Sequence, residues 1–339
     1  MARIGIIGAG SWGTALAFEL SGNGHSITIW SIDPEEVRML NTYHEQKVKL
    51  PGVILKDTIT ATDKLDIAIF GMDLLVLAVP SPFTRQTARK MQPYVEDGQL
   101  IVSVAKGIEE DTLLTLSEII EQEIPQCRTA VLCGPTHAEE VGRSLPTAIV
   151  AGSTDDRTAR YVQDIFMSRT FRVYTSPDIL GMQIGAALKN VVALAAGISD
   201  GLGFGDNTRA ALITRGIAEI GRIGCAMGGK PETFAGLTGT GDLIVTCSSM
   251  HSRNRRAGIL IGQGKTPKEA MDEVQQVVEG VFSAKAAKQL SEKYKVDTPI
   301  INEVYAVLFE GRNAADAVTD LMLRDKKQEQ ENGKEHDNL

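Results

Sequence analysis

Cysteine is scarce in this 339-residue chain, and the few present form no pattern. Cys127, Cys133, Cys225 and Cys247 contain no CxxC pair, and the five histidines give no HExxH or other paired ligand spacing. Neither a zinc site nor a disulfide framework is therefore expected, no metal is assigned, and reduced thiols fit a cytoplasmic location. An excess of basic residues is also missing. Lys and Arg number 35 against 43 Asp and Glu, for a formal charge of −8 and a pI near 5.3. Such a chain has no broad cationic field for nucleic acid or anionic lipid, so any anion it binds must be held by a local pocket. Long apolar runs are absent too. The most apolar helical candidate, residues 182–198, is interrupted by Gln183, Lys189 and Asn190, so no stable membrane insertion is expected. The first residues read as a strand rather than a basic segment before a long apolar stretch, so no signal peptide is expected.

What is present is an ordinary globular composition, 43% hydrophobic and 23% charged, at a length that favours two cores over one. The first half alternates β-branched runs with helical patterns. Strands are expected at Arg3–Ile7, Ser26–Trp30, 74–78, 100–104, 129–133 and 148–151, and helices at 11–23, 34–40, 82–91 and 112–123. That alternation implies an α/β fold, a Rossmann-type doubly wound sheet over residues 1–176. Strand signals then fade, and Ala/Leu/Ile-rich helical patterns imply an all-α domain over 177–323, broken at the glycine-rich stretches 201–205 and 236–241. Glycines in such breaks supply positive φ or close backbone approach. Residues 324–339 are almost entirely charged or amide and are expected to form a disordered tail. No internal repeat is found.

The first expected strand runs into Gly8-Ala9-Gly10-Ser11-Trp12-Gly13 and then into a helix. In this GxGxxG arrangement Gly8 permits a tight turn, Gly10 lets the backbone approach a pyrophosphate, and Gly13 lets helix and strand pack closely. The helix N-terminus offers free N–H groups to the anion. Asp33 follows twenty residues beyond Gly13, just past the second strand, where a carboxylate can bind a ribose 2′-hydroxyl. A P-loop is excluded because Gly264-Lys265-Thr266 would need glycine at 259, and that residue is Ile259. Ala78-Val79-Pro80-Ser81, Lys106-Gly107 and Gly134-Pro135-Thr136 each follow an expected strand, at the edge where open α/β sheets bind ligands.

Lys189 is hard to explain structurally, because it sits inside an apolar, small-residue helix. A buried ammonium shifts its pKa or finds a carboxylate, and either outcome suits proton transfer. Snorkelling to solvent is the competing reading. Asp242 follows the glycine-rich 237–241 turn and precedes an apolar strand-like run. It is either Lys189's partner or a plain turn residue. Ser252-Arg253-Asn254-Arg255-Arg256 packs three arginines into four residues of an acidic protein. This run is a candidate clamp for a substrate phosphate, with some of the arginines merely solvated.

Together these segments resemble the bacterial-type NAD(P)H-dependent glycerol-3-phosphate dehydrogenases. The resemblance is carried by GAGSWGTALA (8–17), AVPS (78–81), SVAKGIE (103–109), CGPTHAEEV (133–141), ALKNVVALAAGISDGLGFGDNTRAALITRG (187–216), KPETFAGLTGTGDLIVTCSSMHSRNR (230–255) and VVEG (277–280). It implies NAD or NADP as cofactor and reversible reduction of dihydroxyacetone phosphate to sn-glycerol 3-phosphate for phospholipid synthesis. It also implies a homodimer. By the same resemblance Lys189 is the catalytic lysine, with Asp242 beside it. Substrate contacts fall on Lys106, Gly134, Thr136, Lys189, Asp242, Ser252, Arg253 and Asn254. Cofactor contacts fall on Ser11, Trp12, Lys106, Ala138, Arg253, Val277 and Glu279, beside Gly8, Gly10, Gly13 and Asp33 of the fingerprint. Asn190 and Thr246 neighbour the reacting centre. Two departures stand out. Ile32, preceded by Ser31, replaces an arginine suited to a 2′-phosphate, which tilts the expectation toward NADH. His137 replaces an aromatic residue, with no effect foreseen. The nearest rival is a hydroxyacid or 6-phosphogluconate type dehydrogenase, which would lack the SRN run. A redox sensor that binds NAD(H) without chemistry would have no need of Lys189.

Overall fold

The computed structural model describes residues 1–326, 328 and 329. Most of the 324–339 tail, and the expectation that it is disordered, lies outside these described residues. Ten strands occur in chain order: β1 Arg3–Ile7, β2 Ser26–Trp30, β3 Glu45–Gln46, β4 Leu50–Ile54, β5 Ile59–Thr62, β6 Leu74–Leu77, β7 Leu100–Ser103, β8 Arg128–Cys133, β9 Thr147–Gly152 and β10 Phe171–Ser176. Eight of them form one sheet in the order β10-β9-β8-β7-β6-β1-β2-β5. The central strands are continuous Ile, Leu and Val runs, buried on both faces by crossover helices, as a parallel sheet requires. From β1 the chain steps outward to β2 and then returns to β6 on β1's other side. That reversal opens a crevice at the carboxyl ends of β1 and β6.

The sheet is mixed rather than wholly parallel. β9 runs antiparallel to β8, with Val131 opposite Gly152, and β10 is parallel to β9. The α/β class holds, and this outer pair reverses direction because the chain returns from β8 through only the short helix Ala138–Val141. Two of the expectations change for local reasons. The helix expected at 112–123 is Leu116–Glu123, because Thr115 and Glu118 form a capping box at its start. The apolar run after Asp242 is not a strand but the helix Asp242–Ser248, led in by a π-helical turn at Leu237–Gly241.

Among the described residues beyond β10 every element is helical. Helix Ile179–Gly201 is the one helix among the described residues long and apolar enough to cross a membrane, and it is almost wholly buried at the centre of this half. It packs against Asp206–Ala226, Asp242–Ser248, Arg253–Gly262 and Glu279–Lys293. Its contact with Arg253–Gly262 is backbone to backbone. A Cβ on Gly197 would lie 2.1 Å from the Arg255 carbonyl oxygen, and one on Gly258 would lie 2.3 Å from that of Leu194. Glycine at 197, 201, 258 and 262 is therefore a requirement of close approach, and it brings the first residues of the arginine helix to the lysine helix.

One buried carboxyl joins distant parts of this half. Glu219 accepts from the backbone N–H groups of Ile300 (2.8 Å) and Ile301 (3.1 Å), the otherwise unpaired donors of helix Pro299–Phe309. Burial pushes its pKa up to about 7 against those hydrogen bonds. Replacing Glu219 by Ala strands both donors, and should lower stability by about 2 kcal/mol or more, each orphaned group costing about 1–3 kcal/mol. Urea unfolding checks this, and an unchanged midpoint would contradict it.

Candidate active site

The glycine turn adopts the three roles read from its spacing. Gly8 has φ +125°, in the region that favours glycine, and a Cβ there would lie 2.9 Å from the Ala78 carbonyl group. A Cβ on Gly13 would lie 2.0 Å from the Gly8 oxygen. Gly10, by contrast, faces open space, with nothing within 4 Å of an added Cβ. Helix Ser11–Gly22 starts at Gly10 without a side-chain cap, so its first N–H groups are free to receive an anion. This cradle fits a dinucleotide pyrophosphate. Gln46, buried in the β3–β4 hairpin, donates to the Ala9 carbonyl at 3.0 Å and supports the turn from below. Nothing in its local sequence marks that role.

At the end of β2, Asp33 accepts from the Glu35 N–H at 2.9 Å and caps helix Pro34–Tyr43, its side chain still exposed. Buried Ser31 donates to Glu36 at 2.7 Å, and Ile32 is exposed. The carboxylates of Asp33 and Glu36 flank Ile32, where the resembling family often carries an arginine, and the cation nearby, Lys49, is paired with Glu36.

The loops after the neighbouring strands converge. Gly107 follows β7 and packs against Ser81 at the end of the β6 segment, where an added Cβ would meet Ser81 at 2.4 Å. Lys106 thereby reaches the Gly134 carbonyl after β8 at 3.1 Å, and Thr136 donates to the same oxygen at 3.3 Å. From the helical half, Lys189 points inward. Its Nζ lies 2.5 Å from Asp242 Oδ1 and 2.6 Å from Thr246 Oγ1. The other oxygen, Asp242 Oδ2, lies 2.8 Å from Lys106 Nζ. One carboxylate, 1% exposed, thus bridges a lysine of the sheet edge and a lysine of the central helix.

This arrangement separates the two lysines electrostatically. Burial pushes Lys189 down to about 8, with Asp242 restoring part of its charge and Lys106 opposing it. Burial works against the charge on Lys106 as well, but there Asp242 outweighs it and holds the ammonium above its ordinary range. Burial likewise disfavours the Asp242 carboxylate, yet the two cations hold it below the usual carboxylate range.

The arginine run divides in two. Arg255 is committed to structure, since it donates to Asp200 at 2.8 Å and to the Ser248 carbonyl at 2.9 Å. Arg253 has neither hydrogen bond nor salt bridge among the described residues, and its nearest offsetting charge is Glu279, whose carboxyl is raised by burial against Arg253 and Lys106. Ser252 caps helix Arg253–Gly262 by accepting from the Arg255 N–H at 3.2 Å, leaving its own O–H free. Asn254 donates to Asn190 Oδ1 at 2.9 Å and accepts from the Gly280 N–H at 2.8 Å. It therefore ties the lysine helix to the Val277–Glu279 segment, with one N–H left over. The Asn190 amide nitrogen is buried and unpaired. Ala138 is buried in the core of the sheet half, at the start of helix Ala138–Val141 just after His137.

A dinucleotide cradle facing a buried lysine–carboxylate pair and a free arginine defines a nicotinamide-dependent dehydrogenase. The chain belongs to the NAD-dependent glycerol-3-phosphate dehydrogenase family: the family's N-terminal part matches residues 3–159 and its C-terminal part residues 178–319. Glycerol-3-phosphate dehydrogenase [NAD(P)+] of Agathobacter rectalis is 63% identical over 327 residues, 96% of this chain and 97% of that protein. The protein of the same name from Fusobacterium nucleatum is 56% identical, covering 97% of this chain and 99% of its own length. The crystal structure of glycerol-3-phosphate dehydrogenase from Coxiella burnetii superposes with a TM-score of 0.92 at 35% identity, covering 95% of this chain and 99% of that one.

Proposed function

We propose that this enzyme reduces dihydroxyacetone phosphate reversibly to sn-glycerol 3-phosphate for glycerophospholipid synthesis, with NADH as the preferred cofactor. The observation that carries the reading is the buried Lys189–Asp242–Lys106 bridge. Division of labour between a dinucleotide-binding part, 1–176, and a catalytic part, 177–323, belongs to the same reading. So do a homodimeric cytoplasmic enzyme and the absence of a nucleic-acid partner.

When bound, the nicotinamide supplies hydride to the substrate's C2. Ser11, Trp12 and the open backbone of Gly10 hold the pyrophosphate, with Asp33 on the ribose. Ala138, Val277 and Glu279 complete the cofactor contacts. Lys189, as an ammonium, gives its proton to the oxygen that becomes the C2 hydroxyl, and takes it back in the reverse direction. Asp242 keeps that lysine aimed and charged, while Lys106 remains a fixed cation beside the substrate carbonyl. Arg253, Ser252, Asn254 and the N–H groups of their helix grip the phosphate, and Gly134 and Thr136 line the opposite wall.

The test is NADH oxidation on addition of dihydroxyacetone phosphate, repeated with NADPH on the same preparation. Turnover is expected with both, with kcat/KM higher for NADH by about fivefold or more, one exposed carboxylate–phosphate repulsion amounting to about 1 kcal/mol. No turnover would overturn the reaction. A strong NADPH preference would overturn only the reading of Ile32 and Asp33.

A further inference from the structure

His137 stands in the loop between Thr136 and Ala138, at the mouth of the lysine cleft, and the chemistry above makes no use of it. Its Nε2 is buried and has no hydrogen-bond partner. The ring is engaged elsewhere by the Val245 carbonyl, on the helix that carries Asp242 and Thr246. With Nε2 unpaired, we assign Nδ1–H as the donor to that carbonyl, so Nε2 of the neutral ring presents a lone pair. A lone pair buried in a substrate cleft calls for a donor from the ligand, since leaving it unmet carries a desolvation penalty. The substrate read for this site has one neutral donor, the free primary hydroxyl next to the ketone.

We propose that His137 is a specificity-determining residue that accepts a hydrogen bond at Nε2 from the free primary hydroxyl of the substrate. The inference rests on the phosphorylated hydroxyketone reading of the site. Electrostatics are consistent with a neutral ring: burial, then Lys189, then Lys106 push its pKa below the ordinary histidine value, while Glu139 and the Val245 carbonyl oppose them. His251, another titratable neighbour, tilts against the ring at 5.7 Å between centroids. In the phosphate-gripping run next to His251, by contrast, the free groups are the donors Arg253 and Ser252. A lone pair there would meet only phosphate oxygens, so the hydroxyl is the better match.

The experiment compares dihydroxyacetone phosphate with hydroxyacetone phosphate, which lacks only that hydroxyl, as substrates of the wild type, His137→Phe and His137→Gln from pH 5.5 to 9. The readout is the ratio of the two kcat/KM values, which a general loss of folding or activity does not move. The ratio is expected to fall about three- to tenfold in His137→Phe, the size of one neutral hydrogen bond, and to be largely kept in His137→Gln, whose amide oxygen is still an acceptor. In the wild type it should fall toward acid pH as the ring gains a proton and loses its lone pair, and in His137→Gln it should be flat with pH. An unchanged ratio in His137→Phe overturns the proposal. Should that variant fail to bind NADH, a His137→Gln ratio that tracks pH as the wild type does overturns it equally. Failure of the wild type to turn over either ketone counts against the reaction itself, and this proposal falls with it.

Discussion

Lys189→Ala should lose at least about 10²-fold in kcat for ketone reduction, the low end of what a positioned acid contributes, while binding NADH as tightly as the parent enzyme. The two halves of that expectation come from different parts of the molecule. The proposed proton donor, Lys189, projects from the central helix of the helical half, whereas the proposed pyrophosphate cradle is the turn after β1. Of the two lysines on Asp242, only Lys189 is brought near the working pH, to about 8, and Lys106 is pushed the other way. A single bridging carboxylate thus separates an exchangeable ammonium from a permanent one, and divergent environments of this kind mark acid–base assignments. The direction of the pH effect follows. Reduction needs the ammonium, so its rate should hold below about 8 and fall above it, and oxidation of glycerol 3-phosphate needs the free amine and should rise through the same range. Both limbs should vanish from the residual activity of the variant. Steady-state profiles in the two directions, with NADH fluorescence titration beside them, decide the matter. Wild-type turnover in Lys189→Ala would remove the residue from the chemistry.

Arg253→Ala is expected to lower kcat/KM for dihydroxyacetone phosphate by about 10- to 100-fold, the range for hydrogen bonds to a charged group, and to leave the slow reduction of unphosphorylated dihydroxyacetone unaffected. The selectivity matters more than the size. Arg253 has no hydrogen bond or salt bridge among the described residues, with Ser252 Oγ–H and the helix N-terminus beside it, so on the proposed role its deletion removes contacts to the phosphate alone. Part of the loss should appear in kcat, because binding energy from a remote phosphate can be used to orient the reacting carbon. Arg255→Ala is the control. It breaks the contacts to Asp200 and the Ser248 carbonyl, and should lower stability and activity on both substrates together. Equal losses on the two ketones in Arg253→Ala would assign that arginine to structure as well.

Legibility in the sequence followed the range of the interactions. Gly8, Gly10 and Gly13 could each be given a job because the turn, the strand before it and the helix after it lie within a dozen residues. Lys189 was conspicuous because a charge inside an apolar helix is a local contradiction, and Asp242 resolves it from 53 residues away. The reversal of β9 and the strands β5 and β10 are not legible, since their pairings are fixed by partners distant in sequence, and the short β3–β4 hairpin carries no strand signal although its Gln46 reaches Ala9. Residues 243–247, Leu-Ile-Val-Thr-Cys, have the composition of a strand and form a helix because the π-helical turn and the packing on the central helix override propensity. The arginines could not be told apart either. Whether Arg253 or Arg255 is free depends on Asp200, at the far end of another helix.

The glycine seam between Ile179–Gly201 and Arg253–Gly262 has a mechanical result. Where the backbones touch there is no room for a methyl group, so the lysine helix and the arginine helix are held in a fixed register. On the proposed roles, the groups for the substrate's ketone end and for its phosphate end are then set at a fixed span by the fold. The Lys106–Asp242–Lys189 bridge fastens that pair of helices to the edge of the sheet.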